Sequence, residues 1–174
     1  RWTPSLRHTN DLDLHFRYRD VASAFNAIDR INDIEFGRKW DLQTAATERE
    51  RIAEGGAAWS PWTPLQVHGG FGSMRRGDFS SLRLEGGMDI ARGADSSLPD
   101  LRWRIEHIAS DDAGGAATGR PQSGSWLRQQ GEASYALAFA TPRLRFEQEH
   151  RENRAIGADS LLFTSLAFVD IRPG

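Results

Sequence analysis

Four stretches of this chain alternate strictly between apolar and charged side chains, and that alternation constrains the fold more than any other feature. Leu12, Leu14, Phe16 and Tyr18 interleave with Asp13, His15, Arg17 and Arg19, while Leu82, Leu84, Met88 and Ile90 stand against Arg83, Glu85 and Asp89. Leu101, Trp103 and Ile105 alternate with Arg102, Arg104 and Glu106, and Leu144 and Phe146 with Arg143, Arg145, Glu147 and Glu149. Successive side chains of a strand point to opposite faces, so a period of two yields one apolar and one charged face. A helix would scatter both sets around its circumference.

Two of these stretches are copies of one unit. Leu98 to His107 reads LPDLRWRIEH and Thr141 to His150 reads TPRLRFEQEH, each with Pro second, Leu fourth, Arg fifth, an aromatic sixth and Glu-His at the end. Looser copies of the opening, TPSLRH and TPLQVH, begin at Thr3 and Thr63. A proline thus recurs ahead of an extended run, as expected of a repeated structural unit with turns at fixed places.

The remaining runs fit the same scheme. Thr47 with Glu50 spells a capping box, yet the hairpin pattern AAWSPWTPLQVHGGFGSM that follows favours a strand through this region, with its turn at Ser60 to Pro64. Leu65, Val67 and Phe71 share a face before a turn at Arg75 to Asp78. Trp126 to Phe139 is expected as a strand carrying Ala133, Tyr135, Leu137 and Phe139 on its apolar side, with Ala140 to Pro142 as the following turn. After a reversal at Arg154 to Ala158, Leu161 to Ile171 is the final strand. The expectation is an all-β, antiparallel up-and-down meander of about eight long strands in one domain spanning 1–174, with long polar loops at 21–46 and 111–125.

Composition narrows the function classes. A net charge of -2 and a pI near 6.2 offer no basic footprint for nucleic acid. The absence of cysteine removes disulfide and thiolate chemistry. Lys39 is the single lysine among 22 basic residues, a bias read mainly as a GC-rich genome. No apolar run approaches the roughly 18 residues of a membrane helix. The abrupt start at Arg1 and the end at Gly174 are read as a processed chain or a piece of a longer one.

Short Pro-containing turns at one end of the strands and long polar loops at the other match the two rims of a membrane barrel, and strands of about 9 to 11 residues or more are long enough to cross. The segments AAWSPWTPLQVHGGFG and EASYALAFATPRLRFEQEHREN resemble the strand, Pro turn, strand pattern of bacterial outer-membrane β-barrels. The resemblance implies a transmembrane β-barrel or a segment of one in the outer membrane, with a transport (pore) or envelope-structural role and the lipid bilayer and other envelope proteins as partners. The alternative is a soluble antiparallel barrel or sandwich, periplasmic or secreted, that binds an apolar ligand or a protein through its apolar face.

In a barrel, the charged parity lines the interior. The interior-facing candidates are Arg83, Glu85, Arg102, Arg104, Glu106, Arg143, Arg145 and Glu147, with opposite charges pairing across adjacent strands. Polar residues on the other parity, His107, Gln148 and His150, are expected toward the long-loop rim. Asp11, Asp13 and His15 form a carboxylate and imidazole row of the kind that holds a divalent ion, but a row paired with Arg17 and Arg19 accounts for them, so no metal or other cofactor is expected. Arg76-Gly77-Asp78 is read as a turn. Ser81, Ser134, His68 and His107 are present without a nucleophile elbow or HExxH motif, so no catalytic role is assigned.

Overall fold

The structure, a computed structural model, describes residues 11–22, 49–91, 99–112, 123–154 and 156–171. These form eight strands: β1 (Asp11–Val21), β2 (Glu50–Trp62), β3 (Leu65–Arg76), β4 (Phe79–Ile90), β5 (Asp100–Asp112), β6 (Gly124–Ser134), β7 (Ala140–Asn153) and β8 (Ala158–Ile171). They lie in one antiparallel sheet in sequence order. The all-β meander expected from the alternation is therefore present, with strands of 11 to 14 residues. No helix among the described residues is long and apolar enough to cross a membrane, which says nothing about crossing by strands.

The sheet is open. β1 and β8 are its two ends, and neither is paired on its outer side among the described residues. The barrel closure that the sequence suggested is not formed, because alternation specifies which side chains share a face but not the stagger that brings a first strand to a last.

Register sorts the side chains. Leu12 pairs with Trp59, Trp59 with Val67, Val67 with Met88 and Met88 with Trp103, and the row continues through Gly131 to Phe146. One row along, Leu14, Ala57, Gly69, Gly86 and Ile105 follow one another. These rows make up the apolar face. The opposite face carries rows such as Asp89, Arg102, Glu132 and Arg145, neighbours on β4 to β7.

Enclosure falls on the charged face. Ile52, Met74, Phe79, Ile108 and Val21 are all buried and all on that side, with Met74 only 1% exposed. Ile52 lies directly opposite Met74, and the two with Phe79 form the core cluster. On the apolar face, by contrast, Leu14 and Phe16 are 69% and 68% exposed, and Val67, Phe71, Leu84 and Leu144 are also open. Along β5 the two sides differ little: Leu101 and Ile105 are half-buried, while Trp103, Arg102 and Arg104 are exposed. Element contacts run between sequential strands, so no second layer of described structure covers the apolar side.

The two repeat copies sit on β5 and β7, in register and two strands apart. Trp103 and Phe146 both pair with Gly131, Arg102 and Arg145 both pair with Glu132, and His107 and His150 both pair with Leu127. A side chain at Gly131 would collide with the Phe146 ring, so the glycine is the gap that this aromatic fills. The repeat thus encloses β6 between two like strands.

Several boundaries differ from the sequence reading. Val21 belongs to β1, Asp111 and Asp112 to β5, and Gly124 and Ser125 to β6; apart from Ala22 and Ser123, the rest of the expected loops, 23–46 and 113–122, lies outside the described residues. β2 runs on to Trp62, with a register irregularity between Trp59 and Trp62, leaving Thr63 and Pro64 as the turn. β6 stops at Ser134, so Tyr135, Leu137 and Phe139 are not strand residues, and Ala140 to Pro142 open β7 rather than forming a turn. The ladder partly continues, with Tyr135 N–H donating to the Pro142 carbonyl and Leu137 N–H to Ala140, but Pro142 has no N–H to return a bond. The β3–β4 turn is only Gly77 and Asp78, with Gly77 at φ 54°, a left-handed conformation that costs glycine nothing.

Candidate functional site

All eight interior-facing candidates fall on the charged face, because each has the parity of Asp89 along its strand and the register is unbroken from β3 to β8. The structure brings them together as three cross-strand groups. Arg83 Nε donates to Glu106 at 2.8 Å while its Nη2 is 2.7 Å from Glu85, joining β4 to β5. Arg102 and Arg104 converge on Asp89, at 3.1 and 3.3 Å. Glu147 accepts from Arg128 Nε and Nη2 at 2.8 and 2.5 Å, and Arg145 lies 3.8 Å from the same carboxylate. Arg143 is set apart: its Nε is 3.2 Å from Asp170 on β8, and its guanidinium lies 5.9 Å from the centre of the Phe168 ring.

Four participants were not among the candidates. Asp89 is the hub for two arginines, His68 approaches both Arg104 (3.5 Å) and Asp89 (3.8 Å), Arg128 holds Glu147, and Asp170 meets Arg143. Asp89 was already on the charged parity of its stretch without being singled out, and Arg128 was detectable by carrying that parity through the less regular strand that holds it. His68 and Asp170 needed the register.

The pairs are part-exposed, and a pair of this kind contributes about 0–1 kcal/mol. They make a hydrated polar wall more than a source of stability. Charges of opposite sign follow one another across the strands, as in Asp89, Arg102, Glu132 and Arg145, so the wall presents both signs at close spacing. Near β1 to β4 the same face opens into a groove of about 370 Å³ lined by His15, Arg17, Glu54, Gly72, Arg83 and Glu85. Two glycines on the same face make room for side chains that line it: a Cβ at Gly56 would meet His15, and one at Gly70 would meet Glu85.

At the rim of the β3–β4 turn lies a different kind of pair. Glu50 and Arg76, at 3.5 Å, have side chains only 4% and 7% exposed and adjoin the Ile52, Met74 and Phe79 cluster. Outside the strands, Arg49 donates two hydrogen bonds to Asp20, at 2.8 and 2.5 Å, and these hold its guanidinium above the ordinary arginine range.

The polar residues of the apolar face cluster as expected. His107 and His150 flank Leu127, and Gln148 pairs with Gln129 one row further from the long-connection rim. His150 also contacts Asp159 at 2.5 Å. Asp11, Asp13 and His15 form a single exposed row on β1, and among the described residues no group of three or more potential ligands could hold a metal ion. His107 faces away from Ser81, Ser134 and His68, so these side chains share no pocket. No protein-family model, no curated protein and no solved structure matches this chain.

Proposed function

We propose that the chain is a membrane-spanning β-sheet of the bacterial outer membrane, part of a barrel whose charged face lines the interior, with a transport or envelope-structural role. One observation carries this reading: the apolar face is largely exposed and uncovered by any described element, while the buried side chains, apart from Ala140 at the start of β7, lie on the charged face. In water a sheet needs another layer over its apolar side, whereas acyl chains would cover that side directly. Within lipid every backbone polar group needs a partner, which long antiparallel ladders supply for all but the two edges.

The dimensions support the reading. The apolar residues of β4 run from Leu82 to Ile90, eight steps covering about 27 Å at about 3.4 Å each. Tilted by about 35–45°, that span is roughly 19–22 Å tall, near the ~25 Å apolar band of outer-membrane barrels. Both long connections, between β1 and β2 and between β5 and β6, leave the same rim. Closure would come from further strands or from β1 meeting β8, and strand number would then decide between a filled anchor and a channel.

A second reading has its own observation. β8 is apolar on both sides, with Leu162, Leu166 and Phe168 exposed on the charged parity, which suits a strand packed against further protein. A soluble sheet that uses its apolar surfaces as a protein interface would share this feature.

Phase separation in a cloud-point detergent distinguishes the two. The membrane reading expects the folded chain in the detergent phase and protease-protected strands after reconstitution into lipid vesicles. Recovery of folded chain in the aqueous phase without detergent overturns it in favour of the soluble sheet.

A further inference from the structure

We propose that Arg51 and Arg75 form a docking point for the phosphate of a phosphorylated lipid headgroup, on the apolar face at the rim where the long connections leave. The proposal deepens the membrane reading and rests on it.

The two arginines are directly paired across β2 and β3 and both are exposed. They share the apolar parity with Tyr18, Ala53, Ser73 and Leu82, which form the adjacent row, so they stand immediately above the last apolar level. Like charges directly opposite on neighbouring strands repel, and something must offset that cost. Asp20, the next residue in the row, lies 3.7 Å from Arg51 but is already engaged by Arg49 through two hydrogen bonds. Arg75 has no carboxylate partner among the described residues. Two guanidiniums thus share one carboxylate and the third, Arg75, has none among the described residues.

The positive charge at this rim of the apolar face is densest near β1 to β3. Arg51, Arg75 and the neighbouring Arg49 stand against Asp20 near β1 to β3, whereas Asp111 of β5 ends the same row and Glu152 and Asp159, one row lower on β7 and β8, have Arg154 beside Glu152 at 3.5 Å. An anion approaching from the surrounding lipid is therefore attracted to the paired Arg51 and Arg75. Guanidinium forks match phosphate oxygens in pairs. Their height, one row beyond Leu82, sets them at the headgroups while the apolar rows contact acyl chains, so the fitting occupant is a lipid phosphate.

The test uses the full chain and vesicles of neutral phosphatidylcholine, with and without a minor fraction of phosphatidic acid, read by co-flotation. Phosphatidic acid should raise the vesicle-bound to free ratio by on the order of tenfold. R51Q/R75Q should lose that gain while inserting normally into neutral vesicles, and R102Q/R104Q on the other face should keep it. In the unmutated chain the gain should shrink as sodium chloride is raised and should persist in millimolar inorganic phosphate. No gain, a gain that survives R51Q/R75Q, a salt-independent gain, or one abolished by inorganic phosphate each overturns the lipid site. Insertion into neutral vesicles in those cases leaves the membrane reading standing, whereas a chain that enters neither kind of vesicle sinks both.

Discussion

The two ends of the charged face obey the same alternation and behave differently. Near the Gly77 and Asp78 turn, the face shuts Ile52, Met74 and Phe79 away from solvent and includes the Glu50 and Arg76 pair among them. Toward the opposite rim, Asp89, Arg102, Arg104 and Arg145 stay part-exposed. Charge pairs occur at both ends, and what separates them is exclusion of water. A buried ion left without its partner retains its desolvation cost, while an exposed one is rehydrated.

That contrast can be broken first at the buried end. Glu50→Ala removes the carboxylate 3.5 Å from the buried Arg76 guanidinium and should cost up to about 3–5 kcal/mol, read as a fall in the urea midpoint followed by tryptophan fluorescence. Met74→Ala empties the centre of the cluster and should cost ~2–5 kcal/mol by the same measurement. If both changes prove as mild as a surface substitution, the two ends are not different in kind.

Smaller effects sharpen the picture away from that cluster. Gly131→Ala pushes a methyl into the Phe146 ring on the apolar face, an overpacking expected to cost about 1–3 kcal/mol. Adding Phe146→Ala should recover part of that loss, and strict additivity in the double-mutant cycle would argue against the aromatic filling the glycine gap. Least of all, Asp89→Asn at the open end should shift stability by no more than about 1 kcal/mol, and the shift should diminish in high salt. A loss as large as that of Glu50→Ala would erase the distinction.

How much was legible follows from these residues. Arg83, Glu85, Arg102, Arg104, Glu106, Arg143, Arg145 and Glu147 were placed on one face from their spacing alone, and the structure puts them there. Their partners were less legible. Asp89 meets Arg102 and Arg104 from thirteen and fifteen residues away, and Arg128 meets Glu147 from nineteen, distances over which only pairing register carries information. Ile52, Met74, Phe79 and Ile108 are apolar residues on the charged parity of four separate strands. Brought together in the sheet, Ile52, Met74 and Phe79 form one enclosed cluster, with Ile108 buried on the same face. At the end of β6, the alternation through Tyr135, Leu137 and Phe139 overstated the strand because Pro142 removes a donor from the facing one.

Alternation in the amino-acid chain determined by itself which side chains are companions on a face, since pleating turns each residue opposite to the one before it irrespective of context. Only the tertiary structure decided which strand meets which residue of its neighbour, which end of the charged face excludes water, and that the first and last strands stand apart. Those outcomes depend on stagger between distant segments, where a slip of one residue would exchange the faces and a change of shear would alter closure. No local pattern records that quantity.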